Sequence, residues 1–111
     1  MIEKIIYDYM DANLDVPCHM MRPERITDSY VVLEKTGGEK ENHLYRSTFA
    51  FQSYAPTLAQ AAELNEAVKA AAENLVELDA ITASRYNTDY NFTNTATKQP
   101  RYQAVFDIYH Y

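Results

Sequence analysis

One segment constrains the fold of this chain more than any other: an alanine-rich run that opens at Thr57 and extends to about Leu78. Thr57 with Gln60 three residues later has the form of a capping box, in which a side-chain hydroxyl satisfies an otherwise orphaned amide at a helix start. Pro56 stops the preceding strand, because proline has no N–H to give to a ladder. Leu58, Ala61, Leu64, Val68, Ala71, Leu75 and Leu78 then recur every three or four residues, which puts them on one side of a helix. The alanines at 59, 61, 62, 67 and 70 to 72 favour helix and keep its surface low, so that it can lie close against a sheet. Glu63, Glu66, Glu73 and Glu77 with Lys69 form the solvated side.

A helix with one apolar stripe needs an apolar surface to cover, and the flanking sequence supplies strands. Tyr30-Val-Val-Leu33 is β-branched or aromatic, lies within a strand expected from Ser29 to Lys35, and is followed by Gly37-Gly38, which reads as a turn with a charged tip over Glu39 to Asn42. His43 to Tyr54 returns as the second strand of that hairpin. Phe49 and Phe51 share a face with Tyr45 and Ser47, whereas Arg46, Thr48 and Gln52 take the other, which predicts one packed and one wet face. A second hairpin is expected from Ala80 to Phe92 and Arg101 to Tyr111, joined by Thr93 to Pro100. Both hairpin tips, Thr36 to Asn42 and Thr93 to Pro100, are too polar to order unaided.

Before the first hairpin, Ile2, Ile5, Ile6, Tyr9 and Asn13 follow helical spacing, predicting a helix from about Ile2 to Asn13. Pro17 and Pro23 then bracket Cys18-His19-Met20-Met21, which confines that piece to an edge strand or extended loop. The expected fold is a single α+β domain over residues 1–111: a mainly antiparallel four-stranded sheet of two β-hairpins, with the N-terminal helix and the long central helix packed on one face.

Composition narrows the function. The chain has 111 residues, 47% of them hydrophobic, enough for one core. Its formal net charge of −6 repels a phosphate backbone, so high-affinity nucleic-acid binding is not expected. A single cysteine, Cys18, precludes an internal disulfide and fits a reducing compartment. No apolar run approaches the roughly 18 residues of a membrane span, so a soluble protein is expected, and the Asn91-Phe92-Thr93 acceptor pattern is read as a chance match. Ten tyrosines against no tryptophan suit sheets and protein interfaces.

No catalytic, cofactor or metal site is expected. Cys18, His19, His43 and His110 could offer metal ligands, but adjacent side chains on an extended piece point to opposite faces, and no zinc-type spacing occurs. Nothing in the sequence near Cys18 would lower its pKa. Glu39 and Glu41 flank the Gly-Gly segment as hydrated charges, and two glycines are too few for a phosphate cradle.

Taken in order, Val16-Pro17 after the first helix, Arg22-Pro-Glu-Arg25, Tyr30-Val-Val-Leu-Glu-Lys-Thr-Gly-Gly38, Phe51-Gln-Ser-Tyr-Ala-Pro56 leading into Leu58-Ala-Gln-Ala-Ala62, and Arg101-Tyr-Gln-Ala-Val-Phe106 resemble the tail terminator or tail completion proteins of long-tailed bacteriophages and prophages. The resemblance spans nearly the whole chain. It implies a structural protein of the virion tail or neck, made in the host cytoplasm. There it closes a homo-oligomeric ring, typically a hexamer and monomeric when free, on the head-proximal end of the tail tube. Its partners would be the tail tube protein and the head-completion or connector protein. DNA would pass through the ring without specific binding, and no membrane would be involved. The competing reading is a small α+β sandwich enzyme or ligand-binding module, often dimeric, with a pocket between sheet and helices.

Overall fold

In the computed structural model the described residues are 1–23 and 28–111, so part of the Arg22-Pro-Glu-Arg25 lead-in lies outside them. Helix α1 (Ile2–Asn13) leads into a two-residue strand β1 (Cys18–His19), then β2 (Tyr30–Glu41) and β3 (Leu44–Tyr54). Helix α2 (Leu58–Glu73) follows, continued by a 3₁₀ turn over Asn74–Glu77, and β4 (Ile81–Asn91) and β5 (Arg101–His110) complete the chain. The strands form one sheet in the order β1-β2-β3-β5-β4.

The α+β architecture and the two hairpins follow the sequence, but the sheet has five strands and is mixed. Cys18 and His19 pair in parallel with Val31 and Val32, and the Val31 amide donates to the Pro17 carbonyl at 2.9 Å. The expected edge piece is therefore a strand of its own, and the prolines on either side keep it short. Every other pairing is antiparallel.

The first hairpin turns later than Gly37-Gly38 suggests. Neither glycine has a positive φ; β2 runs through both, with a register irregularity between Lys35 and Gly37, and reaches Glu41 opposite Leu44. The turn is Asn42-His43, with φ of 50° and 69°. Two central residues at positive φ match the right-handed twist of the flanking strands, and asparagine tolerates that region better than most residues. Gly38 instead serves close approach: a Cβ there would stand 3.1 Å from the Arg46 carbonyl oxygen. The segment from Thr36 to Asn42 is thus mostly ladder-bonded strand, not a loose tip.

One apolar core lies between the sheet and the helices. Val31 and Leu33 of β2, Phe49 and Phe51 of β3, and Ala104, Phe106 and Ile108 of β5 meet Ile6 and Met10 of α1 and Val68, Ala71 and Ala72 of α2. Phe49 lies directly opposite Phe106, and the Phe51 and Phe106 rings meet edge to face at 5.9 Å. The Thr57 cap forms as expected, its Oγ1 accepting from the Gln60 amide at 3.2 Å. The helix is shorter than its apolar stripe, however. It tightens at Asn74 into the 3₁₀ turn, which keeps Leu75 in the core and leaves Leu78 beyond the turn, half-buried. Leu58, in the first turn, is 44% exposed, because the stripe reaches the sheet only from Ala61 onward. Likewise Asn13 is exposed, and Met10 takes the buried place at the end of α1.

Candidate functional site

The side chains that alternate with the core positions define the second face of the sheet, and among the described residues no helix joins the clusters packed there. Near the strand ends that carry Tyr30, Tyr54 and Arg101 this face is closed, contrary to a uniformly wet surface. Tyr30, Val32 and Tyr54 are buried together, with the two rings stacked at 4.6 Å. Gln52 and Gln103 are buried as well, and their amides are matched across the strands. Gln52 Nε2 donates to Gln103 Oε1 at 3.0 Å, and Gln103 Nε2 donates to the Tyr90 hydroxyl at 2.6 Å. The Tyr54 hydroxyl donates to Gln52 Oε1 and accepts from Arg101 Nη1 at 2.9 Å. Such a ladder satisfies polar groups that would each cost free energy if buried alone.

A strip of rings and guanidinium crosses the same end of the sheet. His19 meets the edge of Tyr30, Tyr30 stacks on Tyr54, and the Arg101 guanidinium lies between Tyr54 and Phe92, 4.3 Å from the Phe92 centroid. Arg101 Nε also donates to the Phe92 carbonyl at 2.7 Å. These bonds fix the ends of the connection between β4 and β5. Asn94 closes that connection by accepting from the Ala96 amide on its side chain and from the Lys98 amide on its carbonyl, so it has local order of its own. Gln99 ties it back to the sheet by donating to the Tyr30 hydroxyl at 3.2 Å, while Arg22 donates to Gln99.

Towards the Asn42-His43 turn the second face is open and polar. Asp107 accepts from Thr48 at 2.8 Å and from Asn87 at 3.1 Å, Arg46 pairs with Glu39 at 2.7 Å, and the exposed Arg85 lies over the Tyr109 ring at 5.6 Å. Arg85 makes no ion pair among the described residues. The sequence separates this face from the core by simple alternation, and only its composition bears on whether half of it is closed. The available signal was that Tyr30, Val32, Gln52 and Gln103 are apolar or amide residues where lysine or glutamate would mark a solvated face.

A different polar cluster joins α2 to the edge strand β4. Asp89 accepts from Asn65 at 2.8 Å, from Lys69 at 3.0 Å and from the Tyr86 hydroxyl. The Tyr86 bond, aided by Lys69 and Asn65, holds the Asp89 carboxyl below its ordinary value, and the same bond raises the Tyr86 phenol. Asn65 is buried and its Oδ1 has no partner among the described residues. Ser84 adds a further tie, donating to the Ala72 carbonyl at 2.7 Å.

The structure scatters the residues weighed for metal or thiol chemistry. Cys18 is in the core at 1% exposed, and burial, with Asp11 nearby, pushes its thiol up to about 12, the reverse of an activated thiolate. His19 points to the opposite face as extended geometry requires, His43 sits in the exposed turn, and His110 is at the far end of β5. Among the described residues no three His, Cys, Asp or Glu are grouped to hold a metal ion. A pairing that the sequence did not suggest is Ser47 Oγ with His110 Nε2 at 2.8 Å. It has the spacing of nucleophile and base. Ser47 is nevertheless buried, the Tyr45 ring stacks on His110, and His110 Nδ1 lies 3.2 Å from the Tyr111 carbonyl, so the contact pins β3 to β5.

No helix among the described residues is long and apolar enough to cross a membrane. No model of a known protein family matches the chain, and no curated protein matches it significantly.

Proposed function

We propose that this chain is a virion structural protein that caps the head-proximal end of a bacteriophage tail tube and joins it to the head connector as a homo-oligomeric ring. The observation that carries this reading is the incomplete sheet. Among the described residues, a subunit of 43 × 25 × 24 Å covers one sheet face with helices and leaves half of the other open, with β4 bonded to β5 alone at the sheet edge. Open faces and edges are what a subunit offers to neighbours. The order of sequence motifs, which resembles tail terminator proteins, supplies the specific role, and a steric cap requires no catalytic group. A lumen crossed by DNA without adhesion is consistent with a net charge of −6.

The deciding experiment is loss of the gene in a phage that carries it, followed by negative-stain imaging of lysates. The expected result is tails of uncontrolled length and heads without tails, restored by the protein supplied in trans. Normal virions in its absence would refute the role.

A further inference from the structure

The two edges of the sheet carry opposite charge patterns. β1 takes only Val31 and Val32 of β2, so among the described residues the outer edge of β2 from Leu33 to Glu41 has no strand beside it. At the other edge β4 pairs with β5 alone. Directly opposed residues share a face, so the ladder fixes where each charge lies. On the helix side Lys35 is opposite Phe49, Lys40 opposite Tyr45 and Asp89 opposite Ala104. On the second face Glu34 is opposite Ala50, Glu39 opposite Arg46, Glu41 opposite Leu44 and Arg85 opposite Asp107. The β2 edge is thus acidic on the second face and basic on the helix side, and β4 is the reverse. Lys35, Glu41 and Arg85 are exposed and make no ion pair among the described residues. Pairing either edge with its own copy across a two-fold axis would bring like charges together, whereas β4 against β2 brings opposite charges together.

We infer that β4 of one copy adds antiparallel to the free edge of β2 in the next, with Arg85 opposite Glu39 and Asp89 opposite Lys35. The pairing deepens the ring reading above and rests on it. In that register Ala83 comes opposite Glu41 and Asn91 opposite Leu33, so β4 ends where β1 begins to occupy β2. The irregularities match as well: β2 skips a residue between Lys35 and Gly37, β4 skips one between Tyr86 and Thr88, and the register sets the two side by side. Faces therefore agree on both sides of the bulges. The backbone is in phase too. The Val31 amide points outward to Pro17, and alternation counted through the regular strand β3 directs Leu33, Lys35, Gly38 and Lys40 outward. The Phe92 amide points inward to Arg101, and the same count through β5 directs Asn91, Asp89, Tyr86 and Ser84 outward. These two sets oppose each other pair by pair. Tyr86, 50% exposed, then lies across from Gly38, where an aromatic ring covers backbone that the glycine leaves bare. Glu41 lies diagonal to Arg85, and Glu39 sits between Arg85 and its own Arg46. Each copy offers β4 to one neighbour and β2 to the other, the heterologous contact that closes rings.

Paired cysteines test the register. One protein carries Ala83→Cys and a second Glu41→Cys, while the native Cys18 is buried at 1% exposed. Mixed at millimolar concentration and oxidised, they should form a mixed disulfide identified by mass spectrometry. Ala83→Cys with Glu39→Cys, on the same face but two residues out of register, should give about a tenth as much, because the Cα separation then exceeds what a disulfide spans. Charge exchange, read by sedimentation equilibrium at low salt, is the second measurement. Arg85→Glu or Glu39→Lys alone should weaken self-association about fivefold, and the chain carrying both should recover to within about twofold of wild type. Both positions are exposed, and thermal unfolding close to wild type confirms that the variants fold. Equal cross-linking in and out of register, or a double variant no tighter than its parents, overturns this pairing; wild-type association that persists then leaves the ring reading standing. A wild-type chain that stays monomeric at millimolar concentration overturns both.

Discussion

Asp89 shows how one side chain on an edge strand can control the attachment of a helix. Its carboxylate is the only acceptor shared by Asn65, Lys69 and Tyr86 among the described hydrogen bonds, so α2 and β4 are joined through a charge rather than through apolar packing alone. Because its pKa is held below the ordinary 3.8, the folded state favours the ionised form. The stability from this shift is fully present above the ordinary value and is lost as pH falls through the lower folded-state value. Asp89→Asn should therefore lower stability at neutral pH by about 1 to 3 kcal/mol and flatten its decline in acid. Denaturant melts of both proteins at several pH values between neutral and about 3 check this; parallel curves would assign the acid sensitivity elsewhere. His43 offers the opposite sign. It holds a φ of 69° with a Cβ that disfavours it, so His43→Gly should stabilise the hairpin by about 0.5 to 1 kcal/mol, measured by the same melts.

At the scale of elements, α2 is the part whose sequence and structure agree most closely. Its cap, its start and the burial of Val68 and Leu75, carried into the 3₁₀ turn, are as the periodicity requires, because a capped run of alanine and leucine has no competing local conformation. Val68→Ala or Leu75→Ala should cost about 2 to 4 kcal/mol through the cavity left in the core, and equilibrium unfolding in urea measures it. The first hairpin is the counterexample. Gly-Gly is a strong turn signal, but the two-residue turn formed here has positive φ at both central positions, and Asn42-His43 adopts it while the glycines stay in extended ladder geometry. The 3₁₀ turn was hidden for a related reason. The stripe from Leu64 to Leu78 continues past Asn74, and only contact with the sheet reveals where the helix must tighten.

For the whole molecule, the decisive fact is that the two faces of the sheet have different fates. One is covered by α1 and α2; the other is half closed by a Tyr-Gln ladder and half open. The Arg101 clamp belongs to the closed half and holds the β4–β5 connection against it. Arg101→Ala should lower the melting temperature by several degrees and raise amide exchange in residues 92–100 more than in α2, because it removes two hydrogen bonds and two ring contacts at once. Exchange that rises uniformly across the chain would instead make Arg101 a support of the global core.

The sequence by itself determined the α+β class, both helices, the edge character of Cys18–His19 and most residues of the main core, since these depend on local spacing, capping and proline geometry. Tertiary structure alone decided the fifth strand and its parallel pairing, the late turn of the first hairpin, the end of α2, and the meeting of Ser47 with His110 and of Asp89 with Lys69. Each of these depends on partners distant in the chain, so no local pattern encodes it. The half-open sheet face belongs with them: alternation tells which side chains share a face, but only the packed fold decides what covers it.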